Sequence, residues 1–220
     1  MNRKLSPLAA AATFFAPGIA GAGTPINQTR AVDPDVVVDV TNVKGAVNVR
    51  AWDKAEVEIT GTLGEGSRGL AVDGGEHHLE VKVEGPDKSK GWLHWSSDAQ
   101  MEESTLEMKV PVHASLSINV VSAGVVVTGL SGDSLQVDSV SGRVKLDAET
   151  KRLRVDAVSG DVEFTGRADD ANVETVSGDI QLRGTGGRMH TETVSGAIRV
   201  EAAQPMRDAD ASSVSGDIEI

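Results

Sequence analysis

The chain has 220 residues, with 24 Gly, no Cys, no Tyr and only 3% aromatic residues. Its formal charge of −12 argues against nucleic acid as a partner, because phosphate binding relies on clustered Lys and Arg. The lack of Cys excludes a disulfide framework, a thiolate nucleophile and a cysteine metal site.

The first residues have the pattern of an export signal. Asn2, Arg3 and Lys4 give a positive start, Leu8 to Ala16 an apolar run, and Ala20-Gly21-Ala22 a small-residue cleavage site. Residues 1–22 are therefore expected to be a signal peptide and residues 23–35 a flexible segment. The apolar run is shorter than the roughly 20 residues a membrane-spanning helix needs, and no later stretch qualifies, so no integral membrane span is expected.

Residues 36–121 read as an irregular β region. Alternating or β-branched runs predict strands near Val36–Val40, Ala46–Arg50, Glu56–Thr62, Leu79–Glu84, Thr105–Val110 and Leu116–Val121. Between the fourth and fifth, Gly85 to Glu103 is polar and carries Pro86, Gly91, Trp92 and Trp95, which predicts a long loop.

From residue 122 the chain repeats itself. Val-Ser-Gly recurs at Val140, Val158, Val176, Val194 and Val214, at spacings of 18, 18, 18 and 20, and a looser copy at Val121-Ser122-Ala123-Gly124 places Gly124 18 residues before Gly142. The second and fourth residues after each Gly are apolar, as in Val144 and Leu146, or Ile180 and Leu182. A second alternating pair follows at the eleventh and thirteenth places, as in Leu153 and Val155. Each unit thus carries two short strands with one buried face. One unit encloses nothing alone, whereas stacked units place Val on Val along a continuous core. The expected fold class is all-β: a parallel β-solenoid of about 18 residues per turn, regular over 122–220. Gly142, Gly160, Gly178, Gly196 and Gly216 are expected to form its tight corners, with the adjacent Ser hydroxyls bonding nearby backbone. The repetition of the Ser-Gly pair marks corner geometry rather than a nucleophile.

At this point the chain resembles the bacterial putative-adhesin family of β-strand-repeat domains of unknown function. The matching features are Val40-Thr41-Asn42-Val43-Lys44-Gly45-Ala46-Val47-Asn48-Val49 followed by Trp52, Met108-Lys109-Val110-Pro111 leading into Ala114-Ser115-Leu116-Ser117-Ile118, and the Ser-Gly-Asp turns. The resemblance spans roughly Val36 to Ile220. It implies an exported β-helical protein and transfers no catalytic residue.

The same register sets Asp138, Asp156, Glu174 and Glu192 at one outward place in four successive turns. Stacked strands would hold these carboxylates about 4.8 Å apart, where like charges repel. Such a stripe calls for a divalent cation, a neighbouring Arg such as Arg154, or a basic partner; a plain solvated face is the simpler reading. Calcium, if bound at all, would bind there, and otherwise no cofactor is expected. The Ser-Gly-Asp residues Asp133, Asp161, Asp179 and Asp217 form a row interrupted by Arg143 and Ala197, which argues against loop-bound calcium. His77, His78 and His94 with Asp73 lack a metal-site spacing, since adjacent strand residues point to opposite faces. Trp92 and Trp95 are the candidates for contact with a sugar or protein.

Three functions are open at this stage. The leading one is a non-catalytic exported protein, in the periplasm or on the surface or secreted, acting as an adhesin or envelope scaffold for a protein or glycan partner. The second is a β-helical enzyme acting on polysaccharides, and the third an envelope-stress signalling partner whose acidic face meets a basic segment. The final Ser215-Gly216-Asp217-Ile218-Glu219-Ile220 stops within a strand, so the expectation is either that the natural protein continues or that this end pairs with another copy.

Overall fold

The computed structural model describes residues 23–85 and 101–220. The expected signal peptide, and Trp92, Trp95 and His94, lie outside them. The described residues contain fourteen strands and no helix.

The strands follow one another as β1 (Thr24–Ala31), β2 (Val37–Trp52), β3 (Glu56–Leu63), β4 (Gly69–Gly74), β5 (His78–Glu84), β6 (Ser104–Pro111) and β7 (Ser115–Ser141). They continue as β8 (Val144–Ser159), β9 (Val162–Ser177), β10 (Ile180–Arg183), β11 (Gly187–Ser195), β12 (Ile198–Glu201), β13 (Met206–Ser215) and β14 (Ile218–Glu219). From β7 onward the pairing is parallel and each turn lies on the previous one. Val144 pairs with Val162, Val162 with Ile180, and Ile180 with Ile198.

The core follows from this register. In β8 the side chains of Val144, Leu146, Ala148 and Thr150 point inward, then Leu153, Val155 and Ala157, and the alternation changes phase at the exposed Lys151-Arg152 pair. Each turn therefore has two arms, as the sequence predicts. The hydrogen-bonded ladder nevertheless runs through the bend, so both arms of β8 belong to one strand of 16 residues, and β9 is the same. Only beyond Gly184 (φ +88°) do the arms separate into β10 with β11 and β12 with β13.

Two features of the register differ from the sequence spacing. Val125 pairs with Val144, so Gly142 stacks over Ala123 and not over Gly124. The extra residue is absorbed at Gly129 (φ +74°), where the register slips between Thr128 and Leu130. In the last turn Ile198 pairs with Ile218, and the two surplus residues enter one between Arg183↔Glu201 and Gly187↔Met206 and one at the slip between Gly187 and Arg188.

The N-terminal half uses the same core with a different path. The whole of β2 lies between β7 on one side and β5 and β6 on the other. Beyond β6 the pairing turns antiparallel: β3 lies on β6 and β1 on β3, while β4 lies on β5. Residues 24–31, expected to be flexible, thus form a paired strand from Thr24↔Leu63 to Ala31↔Glu56. The polar composition of β1 conceals this, since Ile26 is its one buried side chain. β4 is likewise absent from the sequence expectation, and the two runs expected at Val36–Val40 and Ala46–Arg50 are one strand.

Glycine fixes the corners. Gly142, Gly160, Gly178, Gly196 and Gly216 all have φ between +135° and +151°. A Cβ on Gly160 would collide with the carbonyl oxygen of Gly142, and one on Gly178 with that of Gly160. The corner thus demands glycine twice, for its conformation and for the close approach of stacked backbones. The Ser hydroxyls play no part in it: the corner bonds are backbone ones, such as Gly160 N–H to the Ser177 carbonyl (2.9 Å) and Gly178 N–H to the Ser195 carbonyl (3.0 Å). The polar help comes instead from Asp179, whose carboxylate accepts the Ala197 N–H one turn on (2.8 Å), and from Ser213, whose hydroxyl donates to the Gly196 carbonyl (3.2 Å).

Candidate interaction groove

The arm that ends at each Gly corner presents three outward columns. In the β8 turn these are Arg154, Asp156 and Val158, alternating with the buried Leu153, Val155 and Ala157. Parallel pairing places Asp138 beside Asp156, Asp156 beside Glu174, and Glu174 beside Glu192, so the predicted acidic stripe is a real column.

The column beside it steadies the stripe. Gln136 donates to Asp138 (2.8 Å) and Asn172 to Glu174 (3.0 Å), while Arg154 grips Asp156 through Nε (2.7 Å) and Nη2 (3.2 Å). In each case a residue two places earlier on the same strand, hence on the same face, offers the donor. The hydrogen bond and charge of Asp156 push the Arg154 guanidinium above its ordinary pKa, and Glu174 and Asp138 on the neighbouring turns add to this. Repulsion along the stripe is thus relieved by a fixed Arg at one rung and amide donors at two others, leaving it net negative. The carboxylates run in a line; among the described residues no three acidic or histidine side chains converge as a metal site would require.

The third column is one the sequence reading does not single out. Val121, Val140, Val158, Val176 and Val194 are each 45–50% exposed, and they form an apolar strip along the solenoid axis. In the sequence Val-Ser-Gly serves as the repeat marker, and its Val is assigned to neither face. Parity sets its face: Val140, Val158, Val176 and Val194 each stand two places after an acidic residue, and Val121 two places after Asn119, on the same outward face.

The two columns are the walls of one groove of about 610 Å³. Thr41 and Asn119 extend it toward β2, and Ser139, Ala157 and Thr175 line it between the columns. Ser139 and Thr175 are buried, and their hydroxyls have no hydrogen-bond partner. The lining contains no His, Lys, Arg or aromatic side chain among the described residues. Chemically the groove offers apolar area on one side and anionic acceptors on the other, repeated over four successive turns.

Other candidate residues lie apart from it. Asp133 belongs to the opposite bend, where it meets Lys151 (2.7 Å), and not to the Gly-corner row. Lys151 holds its carboxyl below the usual range by hydrogen bonding and charge. Asp161 pairs with Arg143 (3.3 Å) in that row, so one interruption of the carboxylates is itself a partner. His77 meets Asp33, and His78 meets Asp39 at 2.7 Å, so neither turns to Asp73. Trp52 lies near Lys54 and Lys109, at 4.6 and 5.3 Å from its ring centre, and donates its indole N–H to the Glu56 carbonyl (2.8 Å).

The family model Toastrack DUF4097 matches residues 35–220. The chain belongs to this family. The Toastrack match covers β2 through β14 and so includes every wall of the groove. Among solved structures, one from Bacteroides fragilis named a "putative adhesin" is 17% identical, with a TM-score of 0.57, covering 92% of this chain and all of that one. At that identity the likeness speaks for the fold. A "putative adhesin" and a "putative lipid binding protein" from Parabacteroides distasonis are more distant, at 14% and 12% identity and TM-scores of 0.45 and 0.39; they cover 91% and 90% of this chain and 98% and 97% of theirs. No curated protein matches the chain.

Proposed function

We propose that this Toastrack protein is an exported, non-catalytic interaction scaffold of the cell envelope, adhesin-like in the broad sense of docking a partner along its flank. The observation that carries this reading is the groove, whose acidic and valine columns repeat one chemistry over successive turns. A catalytic site concentrates unlike groups at one point, a nucleophile with its base or an acid with its conjugate partner. Here four successive turns offer the same pair of groups, which suits a linear ligand held at several weak points. The positive n-region, apolar run and Ala20-Gly21-Ala22 support export, and the name borne by the B. fragilis structure agrees with an adhesive role.

Fractionation of cells making the full chain, combined with assays on pectin and alginate, tests the proposal. The expected result is recovery with the envelope or periplasm, in a form shortened at its N-terminus, with no sugar release. Retention in the cytoplasm, or sugar release that disappears with substitutions in the chain, would overturn it.

A further inference from the structure

The groove has a pitch, and the pitch selects among ligands. We infer that its occupant is a cationic amphipathic α-helix of a partner protein, lying along the solenoid axis with its apolar stripe on the valines and Lys or Arg on its acidic side. This rests on the scaffold reading and specifies the partner's chemistry.

Rungs in a parallel ladder recur about every 4.8 Å, so the five valines from Val121 to Val194 span roughly 19 Å. A helix rises about 1.5 Å per residue, and apolar residues spaced alternately three and four apart recur about every 5.2 Å. Over four rungs the mismatch stays under about half a rung, and a helix of roughly 13 residues covers the strip. An extended peptide repeats its faces about every 6.7 Å, and so falls out of step at the second rung. A sugar chain would want aromatic rings to stack on, and the lining has none among the described residues. An anionic lipid would meet the carboxylates of Asp138, Asp156, Glu174 and Glu192.

Charge complements shape. The acidic column stands two residues from the valine column along each strand, about 7 Å away. That is the offset at which basic residues flanking an apolar helical stripe project. The carboxylates are also preset: Gln136, Arg154 and Asn172 hold three of the four side chains toward their own strand, leaving oxygen lone pairs for a ligand. The valines are half exposed in the free chain, so docking gains apolar burial without repacking. Helix-in-groove recognition uses such i, i+3, i+7 anchors.

The test is binding of a fluorescent, hydrocarbon-stapled helical peptide of about 18 residues, with Leu at i, i+3, i+7, i+10 and i+14 and Lys along one flank. Controls are a scrambled peptide of equal charge and a version with Glu for Lys. The full chain is compared with a Val140→Ser, Val158→Ser, Val176→Ser variant and with an Asp138→Asn, Glu174→Gln, Glu192→Gln variant. The expected result is saturable binding of the stapled peptide, weakened by roughly tenfold or more in each variant, with neither control binding comparably. Hydrogen exchange on the unmodified chain supplies a readout independent of the variants' folding: the peptide should protect the arms that bear Val140, Val158 and Val176. Equal binding of the scrambled peptide, full affinity in the valine variant, or protection confined to another face would overturn the helix assignment. Those outcomes leave the scaffold reading standing, whereas sugar release or cytoplasmic retention removes the scaffold itself.

Discussion

At the scale of single residues, the same letter does different work according to its place in the turn. Gly178 sits at φ +146° with the Gly160 carbonyl against its missing Cβ, whereas a Cβ on Gly75 would meet nothing within 4 Å. Gly178→Ala should therefore lower the unfolding free energy by about 2 to 3 kcal/mol, and Gly75→Ala should lie within about 0.5 kcal/mol of the parent, in urea unfolding. Charge offers a second residue-scale expectation. Lys151 holds Asp133 below its ordinary pKa, so its protonation midpoint, followed by NMR, should lie under 3.8 and move up in Lys151→Gln. The sign follows from linkage: a lowered folded value means the pair favours the fold above the unfolded pKa, and that contribution fades as pH falls through the lowered one. Both side chains are exposed, at 69% and 67%, so the titration itself is the readout.

At the scale of the element, parity decides which valines and leucines hold the molecule together. Phe164 is fully buried and stacks between Leu146 and Leu182. Phe164→Ala should cost about 3 to 5 kcal/mol, whereas Val158→Ala, on a side chain 50% exposed, should cost less than about 0.5 kcal/mol. Thermal or urea melts of the two variants check this contrast. Much of this level is legible in the sequence. The inward places after each Gly, the glycine corners and the acidic column all follow from a period of 18 read with strand alternation. The valine column is equally encoded, but its identity as the repeat marker hides its parity. Pairing between distant segments is not legible. Val37 lies beside Ser115 and also beside His78, and no local pattern announces that β2 inserts between strands made much later in the chain. β1 is hidden for a related reason: backbone hydrogen bonds to β3, and not an apolar face, hold it in place. Nor does spacing reveal the extra residue at Gly129, because a bulge leaves the flanking patterns intact.

At the scale of the whole molecule, the solenoid is nearly one-dimensional, each turn touching the one before and the one after. Removing Gly160 to Ser177 joins Ser159 to Gly178 and restores every stacked column, so cooperative unfolding should persist. Removing residues 160–168 places a bend where an arm belongs and should abolish it, as circular dichroism melts would show. The groove depends on this long-range order more than on any one residue, because a slip of one residue in a single turn would bury a carboxylate and expose a leucine. The direct measurement is therefore of register. The chain has no cysteine, so a variant carrying Val158→Cys with Val176→Cys can be compared with one carrying Val158→Cys with Arg167→Cys, using a short bis-methanethiosulfonate linker and mass spectrometry. Stacking in register puts the first pair of thiols roughly 4.8 Å apart and the second half a turn away, which predicts rapid intramolecular linkage in the first variant alone. Faster linkage in the second variant than in the first would contradict the solenoid register and remove both walls of the groove.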